Sequence, residues 1–108
     1  MKLYIGGTGS GQDILAKKEN PENIIIYDFH NITKDVLENG GSAQEYAKKL
    51  IDECPDAVVI CDEIGLGIHP LDPFERLWRE ETGRALCILA EFSESVIRVT
   101  CGIGQRIK

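Results

Sequence analysis

The chain has 108 residues, 43% of them hydrophobic and 28% charged, which is the make-up of one ordinary globular domain spanning residues 1–108. A net charge of −6, with lysines and arginines scattered among acids, leaves no basic stripe and so argues against a nucleic-acid partner. No apolar run is long enough for a membrane span and the apolar start is too brief for a signal peptide, so the cytoplasm is the expected compartment.

Residues 2–5 read as the first strand, continuous in character and central in its sheet, with three apolar residues leading to the glycines. They run into Gly6-Gly7-Thr8-Gly9-Ser10-Gly11-Gln12-Asp13, and a helical pattern follows. Strand, glycine turn and helix N-terminus together outline a phosphate-binding loop. Glycines let the backbone turn its N–H groups toward an anion, and the helix start adds partial positive charge. The stretch has the length of G-x-x-x-x-G-K-[ST], but Gln12 stands where lysine belongs and Asp13 where serine or threonine would hold magnesium. A point charge about 4 Å from a phosphate is worth roughly 4 kcal/mol at an effective dielectric near 20. Gln12 keeps a hydrogen bond and gives up that charge, and Asp13 repels anionic oxygens unless a divalent cation bridges them. The same glycines also suit a plain tight turn that packs a strand on a helix.

A short helix is expected over residues 12–18, closed by Asn20-Pro21. A second strand is expected over 23–27, buried on both faces because Ile24-Ile25-Ile26 shows no alternation. Asp28 ends it, and a short helix over 33–38 stops at Asn39-Gly40-Gly41. Ser42 and Glu45 form a capping box ahead of a helix whose stripe is Ala43, Tyr46, Ala47, Leu50, Ile51 and Cys54. Residues 57–61 read as a third buried strand, and residues 63–71 as a loop with two glycines directly after it. Asp72 caps the longest helix, with Pro73 at its first position and Glu75 three residues on. Its stripe runs Phe74, Leu77, Trp78, Ala85, Ile88, Leu89 and Phe92, past Gly83, where a neighbour is expected to approach closely. A fourth strand is expected over 95–101, and after Gly102 a polar tail has room for one short edge strand. Cys54, Cys61, Cys87 and Cys101 show no metal-type spacing and read as buried, reduced thiols in apolar elements.

Strands alternating with helices give an α/β fold, a mainly parallel sheet of four to five strands with helices on both faces. Ligands in such sheets sit beyond the carboxyl ends of the strands. Three stretches converge there: the glycine loop, Asp28 with His30, and residues 63–70. Asp28 reads as a magnesium ligand through water or as a turn residue before Asn31, and Asp13 with Asp28 as a direct oxygen cage for a cation. His30 and His69 each offer an imidazole that titrates near neutrality, or a structural side chain. Glu63 reads as a binding residue or as a carboxylate capping the amides of its own loop. Arg76, Arg79 and Arg84 suit phosphates, or i,i+4 pairs on an acid-rich helix.

The second half resembles the bifunctional adenosylcobinamide kinase / adenosylcobinamide-phosphate guanylyltransferase family of cobalamin biosynthesis. The residues that carry this are Val58-Val59-Ile60, Glu63-Ile64-Gly65-Leu66-Gly67-Ile68 with Pro70, Arg76, Arg79, Gly83-Arg84, Leu89-Ala90, and Gly102-Ile103 with Lys108. Gly6, Gly7, Ser10 and Gly11 match the family's glycine loop, and Ile24 to Asp28 its second acidic strand. The resemblance implies a P-loop NTPase-like fold. It also implies a nucleotide site over Gly6, Gly7, Thr8, Gly9, Ser10, Gly11, Gln12, Asp13 and Glu63, with Asp28 at a metal.

The departures matter as much. The family's loop lysine and serine are Gln12 and Asp13 here. Its members are longer, with a further block between the first helix and the strand at Ile24, and that block carries the histidine that accepts guanylate. His30 is not its counterpart. The chain therefore reads as a shortened, degenerate member that binds ATP or GTP with Mg2+, or another phosphate-bearing molecule or corrinoid, without efficient phosphoryl transfer. Two other readings stand beside it. One is an active kinase in which Lys2, Lys17 or Arg84 replaces the missing lysine. The other is a non-catalytic structural subunit, a homo-oligomer.

Overall fold

The computed structural model describes residues 1–65 and 72–108. The elements are β1 (Lys2–Gly6), α1 (Gln12–Glu19), β2 (Ile25–Ile26), α2 (Phe29–Glu38), α3 (Ala43–Glu53), β3 (Val58–Asp62), α4 (Pro73–Phe92), β4 (Ser95–Thr100) and β5 (Ile103–Arg106). The strands form one sheet in the order β2-β3-β1-β4-β5. Neighbours from β2 to β4 run parallel, and only β5 is antiparallel, returning from β4 as a hairpin. This is the expected α/β sheet, with β1 at its centre.

Side-chain alternation explains why β1 and β3 read as unbroken apolar runs. Leu3, Val59, Cys61 and Val96 point to the face covered by α2, α3 and α4, where Phe29, Ala47, Leu50 and Leu89 complete the larger core. Tyr4, Val58, Ile60 and Val99 point to the other face, where Ala16 of α1 packs on them. Both faces are covered, so neither shows a polar phase. Gly6 is required where β1 leaves the sheet: a Cβ there would lie 2.5 Å from the Val99 carbonyl oxygen.

The strong local signals are realised. Ser42 Oγ accepts the Glu45 N–H, and Asp72 Oδ1 accepts the Phe74 N–H at 2.9 Å with Pro73 in the first turn of α4. Several expectations are corrected. The second strand is two residues long and lies at the sheet edge, with Ile24 68% exposed, because β3 is its only neighbour. The helix expected from Thr33 begins at Phe29, four residues earlier. Asp28 turns the chain with φ 52, and Phe29 is sealed in the core with its ring 6.2 Å from that of Tyr46.

Gly83 is not a close-approach position, since a Cβ there would meet nothing within 4 Å. Leu77 and Phe92 of the α4 stripe are exposed, because the core contact is centred on Thr82, Ala85 and Leu89. Of the four cysteines only Cys61 is buried. Cys54 is half-buried, Cys87 lies on the outer side of α4, and Cys101 sits exposed in the β4–β5 turn at φ 52. No helix among the described residues is long and apolar enough to cross a membrane.

Candidate functional site

The parallel strands β1 and β3 end side by side, with Gly6 in register with Asp62. From Gly6 the glycine loop folds over the end of the sheet. Ser10 N–H donates to the Gly7 carbonyl at 3.0 Å, and Gly11 enters α1 in the left-handed region at φ 84, where a side chain would be strained. The β4–β5 turn leans on the loop from the far side: Gly102 N–H donates to the Ser10 carbonyl at 2.8 Å.

Gln12 is 4% exposed and turns back under its own loop. Its Nε2 donates to the Gly6 carbonyl at 3.2 Å, the Gly7 carbonyl at 3.3 Å and Asp62 Oδ1 at 2.7 Å. Its Oε1 is buried without a hydrogen-bond partner among the described residues. The carboxamide thus braces the loop from inside, at the place where the motif would have an ammonium.

Asp62 is the hub of the site, and the sequence reading passed over it in favour of Glu63. Besides Gln12 it accepts the Thr8 hydroxyl on Oδ2 at 3.1 Å. Its main-chain N–H donates to His30 Nδ1 at 3.1 Å, and His30 Nε2 lies 3.6 Å from Asp62 Oδ2. That geometry places the imidazole proton on Nε2. The His30 carbonyl accepts the Trp78 indole N–H at 2.7 Å and the Thr33 hydroxyl at 2.9 Å, so the ring is anchored from behind. A signal for Asp62 was present in the alternation of β3: Val58, Ile60 and Asp62 share the face of the glycine loop, whereas Glu63 lies one residue past the strand.

Gly9, Gly11, Gln12, Asp13, Asp28 and Asp62 line one cavity of 210 Å³. The structure therefore unites the second half of the predicted loop with Asp28. Three carboxylates face this space, and no lysine or arginine among the described residues lines it. Glu63 lies elsewhere. Its Oε2 is 3.5 Å from Arg98 Nη2, and it lines a separate, largely apolar groove of 290 Å³ with Ile5, Ile64, Arg79 and Leu86. His69 falls outside the described residues.

The substitutes for the missing lysine do not reach the loop. Lys2 Nζ donates to Asn20 Oδ1 at 3.1 Å at the opposite end of β1, Arg84 pairs with Glu80 at 2.7 Å, and Lys17 is exposed on the last turn of α1. Behind the site, burial pushes the Cys61 thiol up to about 12, and the nearby carboxylates of Asp62, Asp28 and Glu63 add to the shift. It stays a protonated thiol at neutral pH and is no nucleophile.

Among known protein families, the one described as cobinamide kinase / cobinamide phosphate guanyltransferase matches residues 10–107. The match begins inside the glycine loop and runs through every later element. No curated protein matches the chain.

Proposed function

The chain belongs to the cobinamide kinase / cobinamide phosphate guanyltransferase family, and from that premise we propose that it binds a nucleotide or other phosphate-bearing ligand at the glycine loop, in or near cobalamin synthesis, without efficient phosphoryl transfer. One observation carries this reading: the cavity beneath the loop is lined by Asp13, Asp28 and Asp62 and by the carboxamide of Gln12, with no cation among its described lining. Phosphoryl transfer depends on positive charge held against the transferring oxygens. Here the side chain at the position that would supply charge holds the Gly6 and Gly7 carbonyls instead.

The carboxylates are hard oxygen donors and suit magnesium. No group of three such residues among those described is spaced to hold an ion by itself. Asp28 and Asp62 would therefore hold a cation that arrives with the phosphates, and that cation would supply the missing positive charge. The expected behaviour is metal-dependent binding: ATP or GTP raises the melting temperature with Mg2+ and not with EDTA. Labelled ATP with adenosylcobinamide gives no turnover. The binding proposal fails if neither magnesium nucleotide at millimolar concentration moves the melting temperature. The non-catalytic proposal fails if phosphorylated cobinamide accumulates with the protein and not with the Asp62→Ala variant.

A further inference from the structure

The lower end of β1 carries a second polar cavity, of 420 Å³, lined by Lys2, Tyr4, Glu19, Ser95, Ile97 and Arg106 among others. Its far lining residue, Lys2, lies about 13 Å from Gly6, at roughly 3.3 Å per strand residue. The cavity exists because α1 has only eight residues and ends at Glu19, so this sheet face is covered over part of its length. Register decides what lines it. Lys2 is opposite Ser95, Tyr4 opposite Ile97, and Ile97 opposite Arg106, so these side chains share one face of three adjacent strands.

Two cations converge there in a chain of net charge −6. Lys2 Nζ donates to the neutral Asn20 Oδ1, and Arg106 donates to main-chain oxygens, Nε to Lys108 at 2.7 Å and Nη2 to Glu94 at 3.3 Å. Neither is paired with a side-chain carboxylate among the described residues. Ser95 adds a hydroxyl to the same face, in register with Lys2. It is 6% exposed, it lines the cavity, and its hydroxyl has no hydrogen-bond partner among the described residues. Glu19 supplies the opposite charge. It accepts the Tyr4 hydroxyl at 2.8 Å, and that hydroxyl in turn accepts from Asn20 Nδ2 at 2.9 Å. Two positive groups and one negative give this cavity the complement of a monoanion.

We propose that this cavity binds a small hydroxy-monocarboxylate, its carboxylate between Lys2, Arg106 and the Ser95 hydroxyl, and its own hydroxyl donating to Glu19. Titrating the 15N-labelled chain at constant ionic strength with lactate, propionate and inorganic phosphate tests it, with amide shifts as the readout. Lactate is expected to give saturable shifts at Lys2, Ser95 and Gly104, with propionate weaker for want of a donor to Glu19. Lys2→Gln and Arg106→Gln should each weaken lactate about tenfold, the equivalent of ~1.4 kcal/mol, with spectra that otherwise remain folded. Non-saturable shifts, lactate affinity in both variants equal to that of the unaltered chain, phosphate binding tighter than lactate, or shifts confined to residues 6–13 would each overturn the assignment. The site stands apart from the glycine loop, so this result does not depend on whether nucleotide binds there.

Discussion

The two ends of β1 are built from one strand and carry opposite charge. At the upper end Gly6 opens into a loop whose cavity is lined by three carboxylates and no described cation. At the lower end Lys2, Arg106, Ser95 and Glu19 line one cavity. The motif at the upper end is the one that suggests phosphate, yet the positive charge sits at the lower end. A glycine loop therefore sets the shape of an anion site, and its chemistry depends on which charges the neighbouring strand ends bring to it.

The sharpest way to break the comparison is to move a charge. Gln12→Lys places an ammonium beside Asp62 and the loop carbonyls, and a contact near 4 Å to a phosphate is worth about 4 kcal/mol at an effective dielectric near 20. Calorimetric titration with Mg-ATP should show markedly tighter binding in this variant. Unchanged affinity would mean that the loop does not hold phosphate.

Removing the hub comes next. Asp62→Ala takes the charged acceptor from Gln12 and Thr8 and leaves the Gln12 amide only its longer bonds to the Gly6 and Gly7 carbonyls, a loss of about 1–3 kcal/mol. Denaturant unfolding should show it, with Asp62→Asn losing less because its carbonyl oxygen still accepts. A neutral effect of Asp62→Ala would mean that the network does not brace the loop.

At the lower end Tyr4→Phe removes the hydroxyl between Glu19 and Asn20. Asn20 Nδ2 keeps its bond to the Ala16 carbonyl, so the expected loss is about 1 kcal/mol by the same measurement. A loss as large as that of Asp62→Ala would place the structural keystone at the lower end.

A further effect is confined to alkaline pH. Burial raises the folded-state Cys61 value from 9.0 to about 12, so the unfolded chain releases this proton first. The thiol's contribution is fully present below pH 9 and is lost as pH rises from 9 toward 12. Cys61→Ala should flatten that part of the alkaline stability profile, and an unchanged slope would assign it to other groups.

Much of the fold was legible because its signals are local. Apolar runs mark strands covered on both faces, and Ser42 with Glu45 and Asp72 with Pro73 mark helix starts through hydrogen bonds between near neighbours. The glycine loop was legible for the same reason. Asp62 was missed because the acidic pair at the end of β3 gives two candidates, and strand parity alone separates the one under the loop from Glu63 in its own groove.

The sequence by itself determined the alternating elements, the family and the absence of a loop lysine, since each is written in residues close along the chain. Tertiary structure alone decided that the Gln12 amide turns inward onto Asp62, that His30 stands behind it, and that Lys2 and Arg106 share a cavity far from the loop. Those partners are up to 104 residues apart. What brings them together is sheet order and register, and no local pattern encodes those.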